Sequence, residues 1–182
     1  MVVPLLIITM MIMLCISHGF RSIRSSRINQ QHFMSSSSSN LLPPDDEIRN
    51  VILFDGICNF CNSWVDVLLQ LDRDQRYRYC PLQSSKGKQL LMKMGKEQDD
   101  ISTVVLLKSL KPLDVYYKSD AVLQVVDQLG MTGSLFATVA TKALPLSLRD
   151  TVYDTVATNR YNLLGKRREC RCSDPKYSER FL

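Results

Sequence analysis

Two cysteines separated by two residues, Cys58 and Cys61, carry the strongest chemical signal in the chain. They lie within VILFDGICNFCNSWVDVLLQL, Val51 to Leu71, between an apolar run and a stretch of helical periodicity. A thiolate is the nucleophile of disulfide exchange, and a second thiol nearby can resolve the mixed disulfide that attack creates. In the first turn of a helix, unpaired N–H groups and the positive end of the helix dipole favour the thiolate. Cys58, the outermost sulfur, is therefore expected to be the nucleophile, with a pKa below that of a free cysteine. Cys61, one turn deeper and more shielded, is expected to resolve. The same spacing also admits a structural disulfide, a buried pair of small apolar residues or half of a zinc site.

These sulfurs need elements to position them. Val51 to Phe54 reads as a strand buried on both faces and closed by the turn pair Asp55-Gly56. Trp64, Val65, Leu68, Leu69 and Leu71 form one apolar helical face, with Asn62, Ser63, Asp66, Gln70 and Asp72 on the other side. A charged turn at Arg73 to Arg76 leads to a short strand, Tyr77 to Cys80, ended by Pro81. Cys80 could face the dithiol or serve as a small core residue. Ser84 or Ser85 caps a helix running through Met94, with Gly95 as its stop. Thr103 to Leu107 predicts a third strand, and Ser109 to Asp114 turns the chain into an antiparallel partner at Val115 to Tyr117. Ser119 is the expected N-cap of a helix over Ala121 to Leu129, stopped by Gly130. This order, strand-helix-strand-helix-strand-strand-helix, predicts a thioredoxin-like α/β domain: a four-stranded mixed sheet flanked by helices.

A C-terminal helical extension follows from about residue 133. Leu135 to Leu144 is apolar, Ser147-Leu148-Arg149-Asp150 fits a capping box, and helical spacing continues through Leu164 to Gly165. Lys166-Arg167-Arg168 then flanks Cys170 and Cys172, either favouring thiolate or matching cations to a helix C-terminus.

Residues 1–44 have a different character. Val2 to Ile16 is almost wholly apolar, short for a bilayer span, and followed by small or polar residues, as in a signal peptide. Phe20 to Pro44 has no Asp or Glu, three arginines and a serine tract, which is transit-peptide composition. A two-part cleavable leader directing the chain to a plastid is expected, with mitochondrion and secretory route as alternatives and residues 45–182 as the mature domain. Beyond residue 44 the chain keeps 20 of 23 Lys+Arg and all 18 Asp+Glu, so net charge falls from +5 to +2. So mild an excess implies no nucleic-acid partner. Both histidines, His18 and His32, lie before residue 45, which excludes from the mature domain every mechanism that needs an imidazole. Its five cysteines, odd in number and unevenly spread, do not make a secreted disulfide framework.

Three blocks in order resemble one known family: DGICNFC at Asp55 to Cys61, KSDAVLQVVDQLG at Lys118 to Gly130, and LPLSLRDTVYDTVATNRYNLLGKRREC at Leu144 to Cys170. They are similar to the DCC family of thiol-disulfide oxidoreductases, named for its Asp, Cys, Cys signature. The resemblance runs from about Asn50 to the C-terminus and implies a thioredoxin-like fold, a redox dithiol at Cys58 and Cys61, and Asp55 as the signature aspartate. Asn59-Phe60 replaces the Gly-Pro found between the cysteines of thioredoxins, and Ile101-Ser102-Thr103 stands where they carry a cis-proline before the third strand. Asp55 has two readings: proton acceptor for Cys61 during exchange, or simply the first residue of a turn. Asn159-Arg160-Tyr161 either lines the dithiol cleft or ties the last helix to the sheet.

The function expected is disulfide exchange with a protein or small-thiol substrate, an external dithiol or oxidant restoring the pair, no bound cofactor, and no nucleic acid or membrane partner for the mature form. Cys170 and Cys172, with Arg160, are auxiliary candidates. Two rivals share the residues: a structural zinc module held by Cys58, Cys61, Cys170 and Cys172, and a redox-inert binding module on the same fold.

Overall fold

A computed structural model describes residues 42–171, 174 and 176–182. The expected leader, apart from its last three residues, and Cys172 lie outside the described residues.

Strand β1 (Arg49–Phe54) is central. It pairs in parallel with β2 (Arg78–Pro81) and antiparallel with β3 (Val105–Ser109), which in turn pairs antiparallel with β4 (Asp114–Tyr117). The sheet order is β2-β1-β3-β4, a four-stranded mixed sheet as the element order predicts. Helix α1 (Asn59–Leu71) follows β1, and α2 (Ser85–Lys93) follows β2. After β4 come α3 (Lys118–Asp127), α4 (Met131–Ala143) and α5 (Leu146–Leu164), and then a single 3-10 turn at Ser178–Arg180.

Alternation along β1 divides the core in two. Val51 and Leu53 pack with Leu90, Leu91, Val105 and Leu107 under α2, while Ile52 and Phe54 pack with Val65, Leu68, Leu106 and Val125 under α1 and α3. Successive side chains of a strand point to opposite faces, so a continuous apolar run is what a doubly covered strand requires. Cys80 belongs to the α2 side, with its Sγ 3.6 Å from Ser84 Oγ, and is a core residue. Ser84 caps α2 by accepting from Gly87 N at 3.0 Å, and Gly95 follows its end at φ 73°. On the N-terminal side Leu42 packs against the α2-side core and Asp45 pairs with Lys93 and Lys111.

Several local expectations are corrected. The third strand begins at Val105, two residues later than expected, because Thr103 and Val104 are engaged instead by Tyr153: Val104 N donates to its hydroxyl at 2.9 Å and Thr103 Oγ1 at 3.2 Å. Ser119 does not cap α3; the helix starts at Lys118 after Tyr117, and the Ser119 hydroxyl donates to Asp150 at 2.5 Å. That bond also disposes of the capping box, since Asp150 serves Ser119 and α5 starts at Leu146 after Pro145 with no side-chain cap. Gly130 precedes α4 as its N-cap at φ 124°, and α3 ends at Asp127, three residues before it. Asn62 and Asp72, expected on the solvent side of α1, are both buried.

Candidate functional site

The turn from β1 to α1 holds the two sulfurs. Cys58 is the N-cap of α1, and its Sγ accepts from Cys61 N at 3.3 Å. Asn62 fixes the same turn: its Nδ2 donates to Cys58 O at 2.7 Å and to Gly56 O at 2.9 Å. Both cysteines are thiols rather than a disulfide in this structure. The Cys61 side chain donates a hydrogen bond to Cys58, which with the Cys61 N–H and the nearby Arg160 charge brings the Cys58 pKa down to about 7, against burial and the charge of Asp55. For Cys61 the same hydrogen bond, followed by burial and the charge on Cys58, pushes the pKa far upward. Of the two sulfurs, Cys58 is therefore the one that ionises first.

The exposures run opposite to the sequence expectation. Cys58 is 0 % exposed, whereas Cys61 is only partly buried and faces a cavity. The chain after α5 explains the inversion. It folds back as a strap over the dithiol turn: Asn59 N donates to Gly165 O, Arg167 N to Ile57 O and Arg171 N to Gly56 O, and Cys58 bridges antiparallel to Lys166. Arg171 pins the strap through Asp66 at 2.6 Å and through Asp174. The basic run is thus part of a cover, and it brings Cys170 onto the turn. A Cβ built on Gly56 would lie 2.6 Å from Cys170 Sγ and 3.1 Å from Pro81 Cβ, so any side chain there would push the strap's Cys170 aside.

Asp55, 2 % exposed, sits at the end of β1 with every lone-pair direction spoken for. Its Oδ1 accepts from Ile57 N at 3.1 Å and Gln83 Nε2 at 2.6 Å; its Oδ2 accepts from Arg160 Nη2 at 3.0 Å and from the Tyr161 hydroxyl. Arg160, 7 % exposed, also donates to Ser102 O at 3.1 Å and Ile101 O at 2.9 Å. One residue therefore both lines the dithiol region and ties α5 to the sheet, at the segment that replaces the thioredoxin proline. Gln83, which nothing in the sequence singled out, joins the network twice, since its Oε1 accepts from Gly56 N at 2.9 Å. Its only signal was position, directly after the strand that pairs beside β1.

Beyond Cys61 opens a cavity of about 440 Å³ between the sheet end, α1, α3, α4 and α5. Its wall is largely apolar, including Trp64, Leu68, Leu123 and Val156; Asp55, Tyr153 and Arg160 border it beside Cys61, and Ser119, Arg149 and Asn159 are among its other polar residues. Among the described residues no group of three or more His, Cys, Asp or Glu side chains is placed to hold a metal ion.

The family model of DCC1-like thiol-disulfide oxidoreductases matches residues 52–166, from β1 to the start of the strap. The chain belongs to this family. Two relatives agree. One is a chloroplastic DCC family protein of Arabidopsis thaliana, 38% identical over 126 residues, which cover 69% of this chain and 71% of that one. The other is the uncharacterized protein YuxK of Bacillus subtilis (strain 168), 38% identical over 138 residues, covering 75% of this chain and 97% of that one. No solved structure matches the chain. In this DCC family member the matched region includes Asp55, both cysteines of the dithiol and the clamp residue Arg160.

Proposed function

We propose that the protein exchanges disulfides through Cys58 and Cys61 with a thiol or disulfide partner. The observation that carries this reading is the placement of the pair: Cys58 Sγ caps the N-terminus of α1, accepting from Cys61 N at 3.3 Å, and Cys61 lies one turn on at the edge of a cavity. Cys58 attacks one sulfur of a substrate disulfide, an S–S bond forms between them, and the other substrate sulfur leaves as a thiol. Cys61 then passes its proton on and attacks Cys58, which releases the reduced substrate and leaves a Cys58–Cys61 disulfide. An external dithiol returns two electrons to the pair, and the same steps run backwards oxidise a client.

Asp55 acts in this scheme as a positioning residue. Four donors already occupy its carboxylate, so it fixes the β1–α1 turn and Arg160 rather than shuttling the proton of Cys61. Access to Cys58 requires the strap to lift from Gly56 to Asn59. The name of the Arabidopsis relative supports a plastid destination for the chain, carried by the two-part leader.

Insulin reduction with dithiothreitol as electron source tests the reading. Turnover is expected in the wild type and loss of it in Cys58→Ser, with Cys61→Ser trapping a mixed disulfide with the substrate. A Cys58→Ser variant that turns over like wild type would sink it.

A further inference from the structure

The dithiol has two sides, and they differ in chemistry. Cys58 lies under a polar, peptide-bonded strap, while Cys61 forms part of the wall of the apolar cavity. At about 440 Å³ that cavity is the size of a small-molecule site. Its mouth is greasy too: Leu71, Leu148 and Leu163 border it and are each about half exposed to solvent. A charged thiol of the glutathione kind would lose its hydration there, because the two arginines of the wall, Arg149 and Arg160, are already paired with Asp120 and Asp55.

Where the cavity meets Cys61, two hydrogen-bond donors remain. The Nη atoms of Arg160 are engaged by Asp55 and by the carbonyls of Ile101 and Ser102, but its buried Nε has no hydrogen-bond partner among the described residues. The Tyr153 hydroxyl accepts from Val104 N and Thr103 Oγ1, which leaves its own proton to give. A buried donor without an acceptor costs about 1–3 kcal/mol, so a ligand oxygen placed there would relieve a standing penalty. Phe60, Trp64 and Phe136 in the same wall suit a flat ring.

An apolar, planar molecule with a ring oxygen, held against one sulfur of a dithiol, defines a narrow chemical class. We propose that the cavity binds a lipophilic quinone, which takes two electrons from the Cys58–Cys61 pair. This rests on the dithiol reading above and adds the identity of the electron acceptor. A dialkyl disulfide would offer only sulfur, a weak acceptor, to the two donors, whereas a quinone presents its reducible carbonyl oxygen. The step balances: the Cys58 thiolate and the Cys61 thiol become a Cys58–Cys61 S–S bond, the Cys61 S–H bond breaks, and the quinone gains two electrons, the Cys61 proton and one proton from water to become the quinol. The pair then oxidises client thiols on the strap side, and electrons cross from one face of the dithiol to the other.

Trp64, the only tryptophan of the chain, lines the cavity and reports on it directly. The probe is a fully substituted benzoquinone with a decyl tail, which cannot add irreversibly to thiols. Saturable quenching of Trp64 is expected in the wild type, with binding weakened at least about tenfold, or about 1.4 kcal/mol, when Ala157→Phe fills the cavity. Pre-reduced wild type should yield one quinol and one Cys58–Cys61 disulfide per quinone consumed, and the Cys58→Ser/Cys61→Ser variant none. Quenching that never saturates in the wild type overturns the proposal. So does equal affinity in folded Ala157→Phe, or in Val122→Phe from the opposite wall if the first does not fold. Bound quinone left unreduced by protein that reduces insulin overturns it as well. Quinone reduced by protein inactive on insulin supports the cavity assignment and fells only the insulin-reducing direction of the exchange.

Discussion

At the scale of single residues, the two sulfurs differ in acidity, and the difference comes first from their contact with each other. The largest influence on Cys58 is the hydrogen bond from the Cys61 side chain, ahead of the backbone N–H and the Arg160 charge. Alkylation of Cys58, followed peptide by peptide by mass spectrometry, should therefore rise with pH through a midpoint near 7 and level off above it. Cys61→Ala removes the principal donor and should move the midpoint upward, toward an ordinary thiol, slowing modification at neutral pH by up to about tenfold for each unit moved. An unchanged midpoint in Cys61→Ala would show that the helix terminus alone sets the acidity. The pair was legible because an apolar run, a turn pair and a helical periodicity place both cysteines in the first turn of a helix, though not which sulfur would be covered. The sequence offered Arg160 and Tyr161 for the cleft without joining them to Asp55, and it did not offer Gln83 at all. Gln83, Arg160 and Tyr161 lie 28, 105 and 106 residues away, and proximity created by folding leaves no periodic trace.

At the scale of elements, β1, α1, β2 and α2 were readable from local patterns of apolar periodicity and caps. The errors cluster where a tertiary contact outbid a local preference. Ser119 had the residue type of an N-cap, yet it bonds Asp150 across to α5; Thr103 and Val104 had strand propensity, yet Tyr153 holds them. The strap belongs to the same class, since nothing in Lys166 to Arg171 announces that its backbone will pair with the dithiol turn. Its anchor is Arg171, whose mostly buried side chain spans Asp66 and Asp174. Charge-assisted hydrogen bonds contribute about 1.5–3 kcal/mol, so Arg171→Ala should raise the lifted population of the strap roughly tenfold or more. The expected outcome is faster alkylation of Cys58 by that factor at fixed pH, with its pH midpoint unmoved. Equal rates in Arg171→Ala and wild type would mean that the strap is not what limits access.

At the scale of the whole molecule, the last residues complete the sheet edge rather than trail from it. Phe181 bridges in parallel to Tyr79 on β2, Leu182 N donates to Tyr79 O at 2.9 Å, and the Phe181 ring meets Phe54 edge-on at 6.4 Å. An edge strand with open N–H and C=O groups invites association, and here the C-terminus covers part of it. Arg180 fastens that cover: its Nε donates to Tyr77 O at 2.8 Å and its Nη2 pairs with Asp72, which also receives Arg76 N and Tyr77 N at 3.0 Å. Both side chains of the pair are more than nine-tenths buried, so removing one leaves a carboxylate in the core without its counter-charge. Arg180→Ala should cost about 3–5 kcal/mol of stability in denaturant titration. The strap and this tail are one continuous segment, so loosening the tail should also quicken Cys58 alkylation, even though Arg180 touches neither cysteine. Asp72→Asn/Arg180→Leu, which removes both charges, should recover much of the stability while leaving Cys58 more accessible than in wild type. If stability falls in Arg180→Ala while Cys58 reacts no faster, the tail and the strap are held independently, and the cover over the dithiol is set by Arg171 alone.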